Sequence, residues 1–300
     1  MRRAWAVGIA LALLLAACGD DGSIFVTTSG SEETSTSAGE EPTTTDSSAT
    51  TAPTTTTAAT TTTAVTTTSA TSTTTTTTAP PAPAVTGQLD QFTREAQPGC
   101  SDVEVSVNLP IVSGLPPAVN TRVNERVFEA VFLRQDRFLT DAISGCDPAL
   151  AGQPPSRFDL GFEATAMRPG LLSLRFIGGD YYQGAAHPNA FVFTLNFNPA
   201  TGDLLALESI LLPGRVPALA ALVEARVIAD LYGGDAAAFY SWAPAIDPGM
   251  LEHWVVSAAG IEISFEPYLI GPGAMGAPTV VVPFAVLADV VDPAGPAGPA

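Results

Sequence analysis

A tract of threonine decides where this chain can fold. From about Thr27 to about Thr86 the residues are mostly Thr, with Ser, Ala, Pro and a few acidic side chains, and runs such as Thr73–Thr78 offer nothing to bury. A segment like this cannot offset the entropy of ordering its backbone, so it is expected to be disordered. Thr and Ser with interspersed Pro also suit an O-glycosylated stalk. Roughly 60 residues reach about 200 Å when fully extended, and about 45 Å on average as a flexible coil. The expected layout is a linker over 18–87, a folded head over 88–292, and a frayed tail over 293–300 made only of Pro, Ala and Gly.

The first residues read as an export signal. Arg2 and Arg3 precede an unbroken apolar run, Ala4 to Leu15, and small residues follow it. A basic start, a short apolar stretch and a small-residue cleavage point make a secretory signal over 1–17. The ending Leu15-Ala16-Ala17-Cys18 resembles the lipobox of bacterial lipoproteins. That resemblance implies a diacylglyceryl group on the Cys18 thiol and cleavage just before it. The apolar run is too short for a permanent span, which needs roughly 20 residues. Later apolar stretches are broken by Glu208, Pro213, Glu224, Arg226 and Asp230. The chain is therefore expected to sit on the extracytoplasmic face of the cell membrane, held by lipid at Cys18. Two acyl chains suffice for stable anchoring.

Charge narrows the partners. The formal net charge is −18 and every basic residue is Arg. An acidic surface repels nucleic acid and anionic lipid and attracts cations and basic proteins. With Cys18 given to lipid, Cys100 and Cys146 remain in an oxidising compartment and are expected to pair. The closed loop of about 46 residues corresponds to about 4 kcal/mol in the chain-entropy account.

Periodicity sets the fold class. Val103, Val105, Val107 and Leu109 alternate with polar residues, which marks a half-buried strand. Val119, Val123, Val127 and Val131 recur every four residues behind Pro116-Pro117, which predicts an amphipathic helix over about 118–142, ended near Gly145. Strands are expected over 157–167, 170–177, 190–197, 204–209, 253–257, 260–266 and 279–283. Helices are expected over 216–232, 235–242 and 284–291. Strand runs interrupted by helices outside strict alternation indicate α+β with an antiparallel sheet and packed helices.

Three stretches together resemble a known family. They are Tyr182-Gln183-Gly184-Ala185-Ala186-His187-Pro188-Asn189 with Thr201-Gly202-Asp203, then His253-Trp254 with Gly260 to Tyr268, then Gly271-Pro272-Gly273-Ala274 through Pro283-Phe284 and Leu287. Their order and spacing resemble the paired domains of unknown function in the extracellular part of RsiV-type anti-sigma factors. The same pair occurs beside the catalytic module of peptidoglycan deacetylases of the PdaC type. The resemblance covers about Ser101 to Val291 and implies halves of about 100–180 and 181–292. It also implies a non-catalytic head that binds an envelope protein, such as a basic wall-lytic enzyme, or a cell-wall fragment. Neither a sigma-binding segment nor a deacetylase module is expected beside it.

Candidate contact residues are Tyr181, Tyr182, His187 and Asn189, grouped around one turn. His187 is either a ligand contact or a turn histidine that fixes the hairpin. A wall hydrolase or esterase using His187, and a purely structural surface protein, are the rival readings. No cofactor or metal is expected. Two histidines and no spare thiol leave a zinc site short of ligands. Gly271-Pro272-Gly273-Ala274-Met275-Gly276 fits the glycine pattern of a dinucleotide loop, but Pro278 and a Val-rich strand follow it where a helix is needed. Tyr268 and Trp254 are expected in the core or at an interface. The anchoring itself is testable: Cys18→Ser is expected to move the protein from the membrane fraction to the medium, or to leave it unprocessed, and normal processing with membrane retention would contradict the lipid assignment.

Overall fold

The structure is a computed structural model and describes residues 82–298. The signal, Cys18 and the linker as far as Pro81 lie outside the described residues. The first half holds strands β1 (Ala84–Arg94) and β2 (Val103–Ser113), helix α1 (Pro117–Ser144), and strands β3 (Arg157–Arg168), β4 (Leu171–Tyr181) and β5 (Asn189–Phe197). They form one five-stranded sheet in sequence order. The second half holds helices α2 (Val216–Leu231) and α3 (Ala236–Trp242) and a three-stranded antiparallel sheet of β6 (Trp254–Val256), β7 (Gly260–Ser264) and β8 (Thr279–Pro283). The fold is α+β, rich in antiparallel pairs, with one exception: β2 and β3 are parallel. A parallel pair cannot be closed by a tight turn, and α1 makes the crossover. Among the described residues no helix is long and apolar enough to cross a membrane.

Local sequence explains these elements. Pro117 opens α1 at a position where its missing N–H costs nothing. Val123, Val127 and Val131 are fully buried against β2 to β4, and Gln135, Phe138 and Leu139 continue the stripe. Each such valine contributes about 1.5–3 kcal/mol by leaving water. Asn124 fastens the helix to β2: the Val112 N–H donates to its Oδ1 at 2.8 Å, and its Nδ2 donates to the Val112 carbonyl at 2.9 Å. A disulfide joins Cys100 to Cys146 across a Cα separation of 6.2 Å, tying the approach to β2 to the exit of α1. Asp235 caps α3 by accepting from the Ala238 N–H at 3.0 Å.

β4 is where the layers meet. Leu172, Leu174 and Phe176 pack under α1, while Leu171 belongs to the core around α2, α3 and β6–β8. Residues 171–174 are all buried because both faces of the strand are covered there. On the face away from α1, polar groups join the two sheets. Ser173 donates to Asn196 Oδ1 at 2.6 Å, Asn196 Nδ2 donates to the Trp254 carbonyl at 2.7 Å, and the Val256 N–H donates to Ser173 Oγ at 3.4 Å. Arg175 donates to Glu262 at 2.7 Å and, through Nε, to Glu163 at 3.0 Å. Burial alone would pull the Arg175 guanidinium down, but the bonds to Glu163 and Glu262 outweigh it and raise its pKa.

Several boundaries differ from expectation. The folded part begins at Ala84, inside the expected linker, because β1 pairs with β2 along its whole length. The halves divide after β5 and not at residue 180, since β5 completes the first sheet. Residues 204–209 are not a strand: one bridge from Leu204 to Phe197 gives way to a 3-10 turn, Leu207–Ile210. Residues 284–291 are a 3-10 turn, Phe284–Val286, followed by a bridge from Val291 to Leu211. The expected frayed tail packs as far as it is described: Ala297 is buried, and Arg168 Nη1 donates to the Gly298 carbonyl at 3.3 Å. Replacing Asn196→Ala leaves the Trp254 carbonyl buried without its donor. The expected cost is about 1–3 kcal/mol in denaturant unfolding, with the native circular dichroism retained.

Candidate functional site

One end of the first sheet is left uncovered by both α1 and the second sheet, and a cavity of about 460 Å³ opens there. Glu104, Arg157 and Tyr181 occupy one row across β2, β3 and β4, on the face opposite the buried Val103, Val105 and Phe158. Asp159, Asp180 and His187 complete the polar lining, and Pro154, Pro155 and Pro188 supply rigid apolar walls. Asp159 lies opposite Gly179, whose missing side chain leaves the cavity open. Gly178 beside it admits no side chain, because a Cβ would run into the Phe191 ring and the Asp159 carbonyl. Arg157 is already held by Asp159 at 2.7 Å. Glu104 is left to give the cavity an acidic balance suited to a cationic or hydrogen-bond-donating guest, whereas Asp180 reaches the lining from its strand but pairs in register with Phe158, on the other face.

The 182–188 turn forms one wall, and its anchors are not the residues that the sequence brings forward. Gly184 supplies the positive φ of the turn. Gln183 locks it: its backbone N–H donates to Ser156 Oγ at 2.9 Å, and its amide donates to Ser101 Oγ at 3.0 Å and to the Leu150 carbonyl at 3.1 Å. Nothing in the spacing of Gln183 announces that role. His187 is exposed, and its Nδ1 lies 3.0 Å from the carbonyl of the adjacent Pro188. Asn189 donates to Asp180 Oδ1 at 3.0 Å and joins the ends of β4 and β5 on the face of Phe158, behind the cavity. Tyr182 points the other way, its ring 5.2 Å from that of Phe138. Burial there, helped by Asp180 and Asp141, pushes the Tyr182 hydroxyl above the usual phenol range. Of the four candidates, then, Tyr181 and His187 line the cavity, Asn189 braces it from behind, and Tyr182 belongs to the core side.

Other singled-out residues fall elsewhere. Trp254 is buried in the second core, while Tyr268 is 61% exposed. Tyr268 holds φ 67°, a region costly for an aromatic residue. Its ring lies over Gly273, where a Cβ would collide with it, and Tyr232 donates to the Ile270 carbonyl to brace the same loop. The glycine pattern at 271–276 forms only a 3-10 turn, Gly273–Met275, with β8 after it. His253 and Arg134 both approach Glu266, at 3.5 and 3.6 Å, and the Arg134 guanidinium lies 4.3 Å over the Phe191 ring. That cluster ties α1 to the loop after β7. Among the described residues no group of three or more His, Cys, Asp or Glu is placed to hold a metal.

Residues 208–285 match a family model described as a protein of unknown function, DUF3298. No curated protein matches the chain. A DUF3298 family protein from Pseudomonas aeruginosa is similar in structure, with a TM-score of 0.55 and 17% identity, over 74% of this chain and 99% of its own. A member of the same family from Bacteroides fragilis is similar with a TM-score of 0.58 and 15% identity, over 70% of this chain and 94% of its own. At these identities the likeness is one of fold. The matched segment lies in the second half, while the cavity lies in the first.

The turn's anchors can be separated by mutation. His187→Ala is expected to change stability by less than about 0.5 kcal/mol, as for an exposed residue bonded only to its neighbour. Gln183→Ala is expected to cost about 0.5–1.5 kcal/mol, because it removes part-buried hydrogen bonds to Ser101 and Leu150. Thermal or denaturant unfolding of the two variants checks both.

Proposed function

We propose that this protein is a surface-tethered, non-catalytic binding head that captures a basic envelope protein, a wall-lytic enzyme being the expected type. The charge carries this reading: a net charge of −18 with no Lys. Arg122, Arg126, Arg134, Arg157, Arg175 and Arg226 each hold a carboxylate of this chain, and the carboxylates in excess of the arginines set the acidic field. The cavity carboxylate Glu104 adds a local attraction, and the resemblance to RsiV-type extracellular domains points the same way. Lipid at Cys18 and a Thr-rich spacer would hold such a head out from the membrane, where a lytic enzyme works on the wall.

Field-driven association has a signature. The Debye length falls from about 10 Å at 0.1 M salt to about 3 Å at 1 M. Binding of a basic wall-lytic enzyme, followed by surface plasmon resonance, is expected to weaken steeply over that range. Glu104→Gln and Asp180→Asn together are expected to slow association more than they speed dissociation. Absence of binding at low salt would overturn the proposal. Turnover of wall material that His187→Ala abolishes would instead put the hydrolase reading first.

A further inference from the structure

Among the described residues, three of the four outer sheet edges take bonds from a neighbouring segment, and one does not. On β5, Leu204 bridges to Phe197 and the Leu205 N–H donates to the Asn196 carbonyl at 2.7 Å. On β6, only three residues long, Asn196 and Ser173 take the Trp254 carbonyl and the Val256 N–H. On β8, Arg226 Nε donates to the Val281 carbonyl at 3.1 Å. Among the described residues β1 has no such cover along its eleven residues beyond Ser113 Oγ, 3.5 Å from the carbonyl of its first residue.

The usual protections of an edge strand are a proline, a bulge or a charged side chain, lysine above all, and the charges of β1 are Asp90 and Arg94. β1 contains no Pro, and its register with β2 runs unbroken from Ala84↔Ser113 to Arg94↔Val103. The chain has no Lys to place there. Only Val85 and Phe92 are half-buried, and Leu89 stands 62% exposed at the middle of the strand. Ordering a backbone costs about 1–2 kcal/mol per residue, and two half-buried side chains offset little of it. The strand has the form of one that gains its remaining stability from a further neighbour.

We propose that this neighbour is β1 of a second copy, paired antiparallel about a two-fold axis at Leu89 and joining two five-stranded sheets edge to edge. This is the antiparallel self-register that keeps all eleven residues opposite a partner: Ala84 faces Arg94, Val85 faces Thr93, Thr86 faces Phe92, Gly87 faces Gln91, Gln88 faces Asp90, and Leu89 faces itself. Directly opposed residues come within about 4.5–5.5 Å at Cβ. The exposed Leu89 side chains cover each other, the Gln88 amide reaches the Asp90 carboxylate, and no carboxylate opposes another. A slip of one residue sets Leu89 against Asp90 or Gln88, and an axis at Asp90 brings two carboxylates together. The pairing works against the repulsion of two bodies at −18 each, so salt strengthens it. Capture of a basic partner has the opposite salt dependence, which separates the two associations.

Cysteine cross-linking in the full chain, in a Cys18→Ser background, tests the register. Leu89→Cys is expected to form a covalent dimer under mild oxidation, while Gln91→Cys, opposite Gly87 of the partner copy, and Ile177→Cys, elsewhere on the surface, give no covalent cross-link. Sedimentation velocity of the full chain carrying only Cys18→Ser is expected to show a dimer that gains population with salt. Leu89→Lys is expected to abolish that dimer with unchanged circular dichroism. A chain that sediments as a monomer at every salt concentration, or a Gln91→Cys variant that cross-links as well as Leu89→Cys, would overturn the proposal.

Discussion

The molecule depends on a small polar clasp between its two sheets. Arg175 is only 12% exposed and its partner Glu262 13%, so both charges have left water. Such a pair is costly to bury and more costly to break: removing one partner strands the other, at about 3–5 kcal/mol. Apolar faces alone would let two small sheets slide, because hydrophobic contact has no direction. Ser173, Arg175 and Asn196 stand on adjacent strands of one sheet and fix the second sheet through Trp254, Val256 and Glu262. The three short strands β6–β8 hold their position because of these contacts.

The clasp also shapes the part that is left open. The second sheet covers the face of β4 at Leu171, Ser173 and Arg175 and stops short of Gly179 and Tyr181. What remains is a fixed acidic surface whose walls are prolines and a turn locked by Gln183. A binding head gains from such rigidity, because less ordering is lost on association.

Periodicity made α1 and β2 readable. Valines every four residues in one, and every two in the other, reflect faces buried against each other. β1 was not readable, for a physical reason: a strand held mainly by backbone pairing, with only Val85 and Phe92 half-buried, carries no apolar alternation. The parallel pairing of β2 with β3 was within reach, since a strand, a long helix and another strand form a crossover unit, but antiparallel hairpins elsewhere pointed to the commoner arrangement. Leu204 to Ser209 has strand composition, yet one bridge from Leu204 is all that the turn geometry after Asn198 allows. In the cavity, His187 and Tyr181 were legible as chemistry on a turn, whereas Glu104 and Arg157 come from strands distant in sequence and only the register brings them together.

If the two layers form one body through the clasp, they must open together. Native-state hydrogen exchange on the full chain measures this directly, because each amide reports the free energy of the opening that exposes it. The amides of Leu172 and Leu174 in β4 and of Ile261 and Ile263 in β7 are expected to exchange at one common free energy, and Arg175→Met is expected to lower all four by the same amount. Exchange of β7 through a separate, lower-energy opening that Arg175→Met leaves unchanged would contradict the account.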